Sequence, residues 1–166
     1  MVSTKKEVIF LEIARDLKHN NFIIDEQDLD RPWGGFYKID ESQAERFVQS
    51  YFPHLDVESL KITGRISPKI LIVAPFKRLS WQYHLRRAEI WRVLQGNVGV
   101  IASDTDVQGA VRIMQVGDII QLKERERHRL VGLDDWGVLA EIWQHTHKDA
   151  PSNEDDIIRL DDDFGR

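Results

Sequence analysis

At 166 residues, 42% of them hydrophobic, the chain is long enough for one domain with a proper core and too short for two comfortable ones. A net charge of −5 offers no basic field to a polyanion, which argues against a nucleic-acid partner, and the absence of cysteine removes disulfides, zinc–thiolate sites and cysteine nucleophiles together. No run approaches the ~20 apolar residues of a membrane helix, and Lys5, Lys6, Glu7, Glu12 and Arg15 interrupt any signal-peptide core, so a soluble, unprocessed, cytoplasmic protein without membrane contact is expected.

Thr4 with Glu7 has the capping-box spacing, and Ile9, Ile13 and Leu17 then share one face, which predicts a helix over about 5–18. Arg31-Pro32-Trp33-Gly34-Gly35-Phe36 follows as an extended or turning segment, because proline restricts its predecessor and two glycines come after. Ser42 with Glu45 repeats the capping-box spacing ahead of Ala44, Phe47, Val48 and Tyr51, giving a second helix that Pro53 ends. From residue 69 the pattern changes to short runs rich in β-branched and aromatic residues, at 69–73, 81–85, 90–94, 98–102, 111–116, 119–122, 129–131 and 138–143, separated by turn formers. Eight close-spaced strands imply a mainly β fold, an antiparallel jelly-roll barrel over 69–166. The N-terminal helices and arm of residues 1–68 are expected to pack on its outside as part of the same structural domain, and an acidic run, Glu154 to Asp163, ends the chain.

Chemistry concentrates around Gln82 and His84. At i and i+2 on a strand they point the same way, and a turn around Arg86 to Ala88 would return Glu89 on the adjacent strand. His128 lies 39 positions after Glu89 and completes a mixed N/O donor set for a mononuclear site. Such a set suits Zn, Mn, Fe, Co or Ni better than Ca or Mg. With one carboxylate among the ligands a divalent ion keeps net positive charge, which favours an anionic substrate. Arg87 is the candidate inward anion-binding group, its planar fork matching phosphate or carboxylate oxygens. Arg86, Arg92, Arg125, Arg127 and Arg129 are expected mostly on a solvated face. His145 and His147 lead into a polar loop and are not expected to ligate, and Asp104-Thr105-Asp106 before Gly109 reads as a hairpin turn. Trp91, Trp136 and Trp143 read as core, and Trp33 as the tryptophan placed to contact a sugar.

The spacing Gln-x-His-x4-Glu-x6-Gly, Gln82 to Gly96, resembles the first cupin motif with Gln82 in the place of its first His. Gly117 and His128 resemble the second, with Lys123 and Arg125 replacing its Pro and Gly, and Gly132 its Asn. More specifically, Arg31-Pro32-Trp33-Gly34, Leu79 to His84, Arg87-Ala88-Glu89-Ile90-Trp91, His128-Arg129-Leu130, Glu141-Ile142-Trp143-Gln144 and the ending Glu154 to Leu160 with Phe164-Gly165-Arg166 resemble the cupin domain of type II mannose-6-phosphate isomerases, in order over 31–40 and 69–166. The resemblance implies a metal-dependent aldose–ketose isomerase acting on a sugar phosphate, mannose 6-phosphate to fructose 6-phosphate, with one divalent ion, zinc as first choice, on Gln82, His84, Glu89 and His128.

On that reading Glu141 is the candidate base, Arg87 stabilises charge and Arg166 folds back toward the phosphate. Leu85 and Arg86 replace histidines of the family, and the segment 41–68 is longer than expected and placed to reshape the pocket rim. The glycine-rich nucleotide loop of the guanylyltransferase domain found in larger relatives is missing from this sequence, so a stand-alone cupin is expected, able to form a homodimer through its N-terminal arm. The rival readings are a sugar-binding or regulatory cupin without turnover and an Fe(II) dioxygenase. Gln82 argues against the latter by occupying a coordination position that oxygen would need.

Overall fold

The computed structural model describes residues 5–61 and 64–166; the expected cap Thr4 lies outside them. The chain runs α1 (Lys5–His19), β1 (Ile24–Arg31), β2 (Gly34–Ile39), a 3-10 turn (Glu41–Gln43), α2 (Ala44–Tyr51), α3 (Val57–Leu60), β3 (Lys69–Val73), β4 (Trp81–Tyr83), β5 (Arg87–Gln95), β6 (Val98–Ser103), β7 (Arg112–Met114), β8 (Ile119–Leu122), β9 (Arg127–Gly132), β10 (Gly137–His145) and β11 (Ile158–Asp161). A six-stranded sheet, β1-β2-β3-β10-β5-β8, faces a five-stranded one, β11-β4-β9-β6-β7, and the pairings are antiparallel. This is the mainly β jelly-roll architecture expected. No helix among the described residues is long and apolar enough to cross a membrane.

Period-two alternation sorts the central strands onto two cores. Leu71, Val73, Trp91, Val93 and Leu139 point between the sheets and meet Val98, Val100, Met114 and Leu130 from the opposite sheet. Their neighbours Ile70, Ile72, Ile90, Val138, Ala140 and Ile142 point outward and are covered by α1 and α2 through Phe10, Ile13, Leu17, Phe47 and Val48. β3 is therefore buried along its whole length, which is why its sequence reads as a continuous apolar run after Lys69. The same parity puts Arg87, Glu89, Glu141 and Trp143 inside the barrel.

Four features differ from the sequence expectation. The Ser42–Glu45 capping box does not form: the Asp40 carboxylate reaches the Ser42 N–H first, at 2.9 Å, and starts the 3-10 turn that precedes α2. α3, capped by Asp56, is additional. The N-terminal arm extends the sheet instead of lying outside it, as the hairpin β1–β2 pairs through β2 with β3. The Arg31–Gly34 segment is the turn of that hairpin. Gly34 has φ 144°, and a Cβ there would sit 1.9 Å from the Ile72 carbonyl oxygen, so the close approach of β2 to β3 requires glycine. β11 is the remaining unexpected strand; it brings the acidic tail back onto β4.

Candidate metal centre

β4 carries Gln82 inward on one sheet, where it pairs in register with His128 of β9. Glu89 comes from the other sheet, on β5 between Leu122 and Trp143. The expectation that Glu89 returns on the strand adjacent to Gln82 is thus corrected. The bend falls at Leu85 and Arg86, Arg87 already belongs to β5, and the chain crosses between sheets there. The ligands converge across the barrel interior, which a hairpin within one sheet would not achieve.

His84, Glu89 and His128 are all buried, and their ligand atoms lie within 4.8 Å of one another. His84 Nε2 is 3.0 Å from Glu89 Oε1, and His128 Nε2 is 3.6 Å from Oε2. Each imidazole gives its Nδ1–H to a backbone carbonyl, His84 to Asp156 at 2.7 Å and His128 to Glu126 at 3.0 Å, which leaves both Nε2 lone pairs facing inward. His128 Nε2 has no hydrogen-bond partner although it is buried, the orphaned polar atom a metal would satisfy. Burial and the neighbouring His84 and Arg87 push the His128 imidazole down to about 4 against the pull of Glu89, so it is neutral and able to ligate at neutral pH. Burial acts to raise the Glu89 carboxyl, but His84 and Arg87 beside it hold it well below the usual carboxylate range. The residues fit a divalent ion.

Gln82 Oε1 accepts from Ser80 Oγ at 2.5 Å, and its Nε2 is 3.4 Å from His84 Nε2. Exchanging the two amide atoms keeps the Ser80 bond with reversed roles and turns the oxygen toward the cluster, the orientation a fourth ligand needs.

Arg87 points inward as expected, stacked 3.6 Å from the centre of the Trp143 ring. Its fork is largely engaged by the protein: Nε donates to Glu89 Oε1 at 2.9 Å, and Nη1 to Ser152 Oγ and the Asn153 carbonyl. Glu141 is buried, its oxygens accepting from Trp91 Nε1 at 2.7 Å and Trp143 Nε1 at 2.8 Å. Burial, then the charge of Glu89, push its carboxyl up to about 8 against Lys69 and Arg87.

Gln82, Arg87, Glu89, Trp91 and Glu141 line a cavity of about 460 Å³. Trp33, Phe36, Lys69 and Leu71 form part of its wall. Arg31 from the hairpin turn and Arg159 and Arg166 from the tail also line it. They lie close enough that, after burial, Arg166 and Arg31 contribute to lowering the Arg159 pKa. Arg31, Asp156 and Arg159 lie within the matched segments but receive no role in the sequence reading, and Lys69 lies at the start of a predicted strand. Lys69 alone left a signal, as the single charge at an inward position of an apolar strand. It pairs with Glu141 in register, bonds Glu154 Oε1 at 2.7 Å and lies over the Phe36 and Trp143 rings.

His145 and His147 do not converge: His145 is buried against Ser67 and the Ser152 N–H, while His147 is exposed beside Glu124. Asp106 sits in a turn and binds Arg127. Arg129, expected on a solvated face, is fully buried and holds Leu79 and Asp161, and among the flanking arginines only Arg125 is exposed.

The model of the family described as mannose-6-phosphate isomerase C-terminal matches residues 39–162. The chain is 27% identical over 116 residues to a mannose-1-phosphate guanylyltransferase of Salmonella montevideo and 29% identical over 125 residues to the alginate biosynthesis protein AlgA of Pseudomonas aeruginosa. These matches cover 70% and 75% of this chain but 23% and 24% of the relatives, so the chain spans about a quarter of their length. Among solved structures, a mutant of Bacillus subtilis oxalate decarboxylase aligns with TM-score 0.57 over 81% of this chain and 30% of its own, at 13% identity, a likeness of the cupin barrel alone. With a family match across three quarters of its length, on the barrel and the ligand-bearing strands just described, the chain belongs to the mannose-6-phosphate isomerase C-terminal family.

Proposed function

We propose that the protein is a metal-dependent aldose–ketose isomerase of a phosphorylated sugar, with mannose 6-phosphate and fructose 6-phosphate as the pair. The observation that carries the reading is the buried carboxyl of Glu141 lining the same cavity as Glu89 and four arginines, Arg31, Arg87, Arg159 and Arg166. His84, Glu89 and His128, with Gln82, would hold the divalent ion, zinc first. When bound, that ion supplies electrophilic polarisation of the sugar's C1 and C2 oxygens. Glu141, as the carboxylate, takes the C2 proton and returns it to C1. Arg87 keeps Glu89 ionised and adds positive field beside it. Arg31, Arg159 and Arg166 receive the phosphate, which relieves their mutual repulsion, and the Trp33 and Phe36 rings exclude water from the sugar.

Incubation with mannose 6-phosphate in D2O tests this directly. Deuterium is expected at C1 of the fructose 6-phosphate formed, with turnover lost on chelation and restored by added metal. If folded, metal-loaded protein gives neither product nor exchange with hexose, pentose and heptose phosphates, the reading yields to a sugar-binding cupin without turnover.

A further inference from the structure

We propose that Asp156, in the tail segment before β11, is the positioning residue of the metal centre; this rests on the reading that His84, Glu89 and His128 hold a divalent ion. The bend at Leu85 and Arg86 carries the chain from one sheet to the other, with a ligand on either side of it. Such a bend leaves its backbone N–H groups without sheet partners. Asp156 takes two of them, Leu85 N–H on Oδ1 at 2.9 Å and Arg86 N–H on Oδ2 at 3.0 Å. Two successive N–H groups aimed at one carboxylate form an anion-binding concavity that fixes the bend. The backbone carbonyl of the same residue accepts the His84 Nδ1–H at 2.7 Å. One residue therefore sets the path of the chain between the ligands through its side chain, and the tautomer and ring plane of His84 through its main chain.

Asp156 is itself anchored. Its Oδ2 accepts from Ser152 Oγ at 2.6 Å, and Ser152 is tied to β10 by its N–H to His145 Nδ1 at 2.9 Å and to β5 by accepting from Arg87 Nη1 at 2.9 Å. Asp156 is 6% exposed, so water does not replace these bonds when they are lost. Partners that orient ligands are worth about ten- to hundredfold in metal affinity.

Co2+ is the probe: its Kd is measured by competition with a chelating dye, and its d–d absorption reports ligand geometry. In Asp156→Asn an amide NH2 faces one of the two backbone donors while the main-chain carbonyl remains. Co2+ affinity is expected to fall about tenfold or more, with altered d–d bands. Ser152→Ala, a milder change, is expected to weaken Co2+ severalfold. Arg78→Ala cuts the exposed Arg78–Asp163 pair that clamps the same tail elsewhere; it should lower Tm while leaving Kd and spectrum unchanged. Wild-type affinity and bands in folded Asp156→Asn overturn the proposal, as does Arg78→Ala weakening Co2+ as much as Asp156→Asn. If near-UV circular dichroism shows Asp156→Asn unfolded, wild-type affinity and bands in Ser152→Ala overturn it. Failure of the wild-type protein to bind Co2+ overturns the metal-centre reading itself.

Discussion

Arg125, at the position where the resembled cupin motif has glycine, is left-handed at φ 66° while its N–H donates to the His84 carbonyl at 2.9 Å. An L-residue there costs ~1–2 kcal/mol, whereas glycine costs ~0.5–1 kcal/mol in chain entropy, so Arg125→Gly should stabilise by up to about 1 kcal/mol. The exposed pair with Glu124 adds little to lose. A Tm rise of about 2–4 °C is expected in thermal unfolding, and a fall would show that the side chain matters more than its backbone. At Glu141 the substitution tests chemistry. Glu141→Gln keeps the shape and removes the exchangeable carboxyl proton, so kcat should fall about a hundredfold or more with the metal content unchanged. Retained kcat would move the base elsewhere.

At the level of elements, the cavity mouth draws on both ends of the chain, the β1–β2 turn through Arg31 and the tail through Arg159 and Arg166. If they bind phosphate in the ground state and transition state alike, Arg159→Ala or Arg166→Ala should raise KM for the sugar phosphate about tenfold, ~1.4 kcal/mol, with kcat little changed. A fall in kcat at constant KM would place them at the reacting centre instead. The central strands were legible in the sequence because both their faces are covered, which leaves long β-branched runs. β1, β2 and β11 were not. β1 reads Ile-Asp-Glu-Gln-Asp-Leu-Asp-Arg with no residue fully buried, β2 opens on two glycines, and β11 is four mostly exposed residues, so each is specified by its partner strand and hardly by its own pattern. Of the candidate ligands, Gln82 and His84 were legible through side-chain alternation, and Glu89 and His128 through the spacing that resembles the cupin motifs. Asp156 acquires its role only when the tail folds over the bend, and nothing in its neighbours' sequence encodes that, whereas Lys69 shows as the one charge in an apolar strand.

For the whole molecule, the buried ionisable groups shape stability against pH. His128 and His145, both pushed to about 4, take up protons more readily unfolded than folded, so the metal-free protein should lose stability as pH falls from about 6.5 to 4. Glu141 acts oppositely: raised to about 8, it favours the fold below its unfolded value near 4.5 and withdraws that support as pH rises through 8. A metal-free maximum near pH 6.5 is expected in Tm measured across pH, and Glu141→Gln should remove the decline from there to about 8 and steepen the rise below it. Saturating metal should raise Tm, by about 2.7 kcal/mol of stability at a hundred times Kd. An alkaline decline that persists in Glu141→Gln would assign it to another group.

The six-stranded sheet ends at β1, whose outer edge would otherwise offer open backbone to any strand of a neighbouring chain. Asp25, Glu26, Asp28 and Asp30 outnumber Lys38 and Arg31, which pair with Glu26 and Asp28, so two such edges brought together meet net like charge. β1 thus carries its charge where a neighbouring strand would have to pair, while Ile24 and Leu29 pack it onto the core.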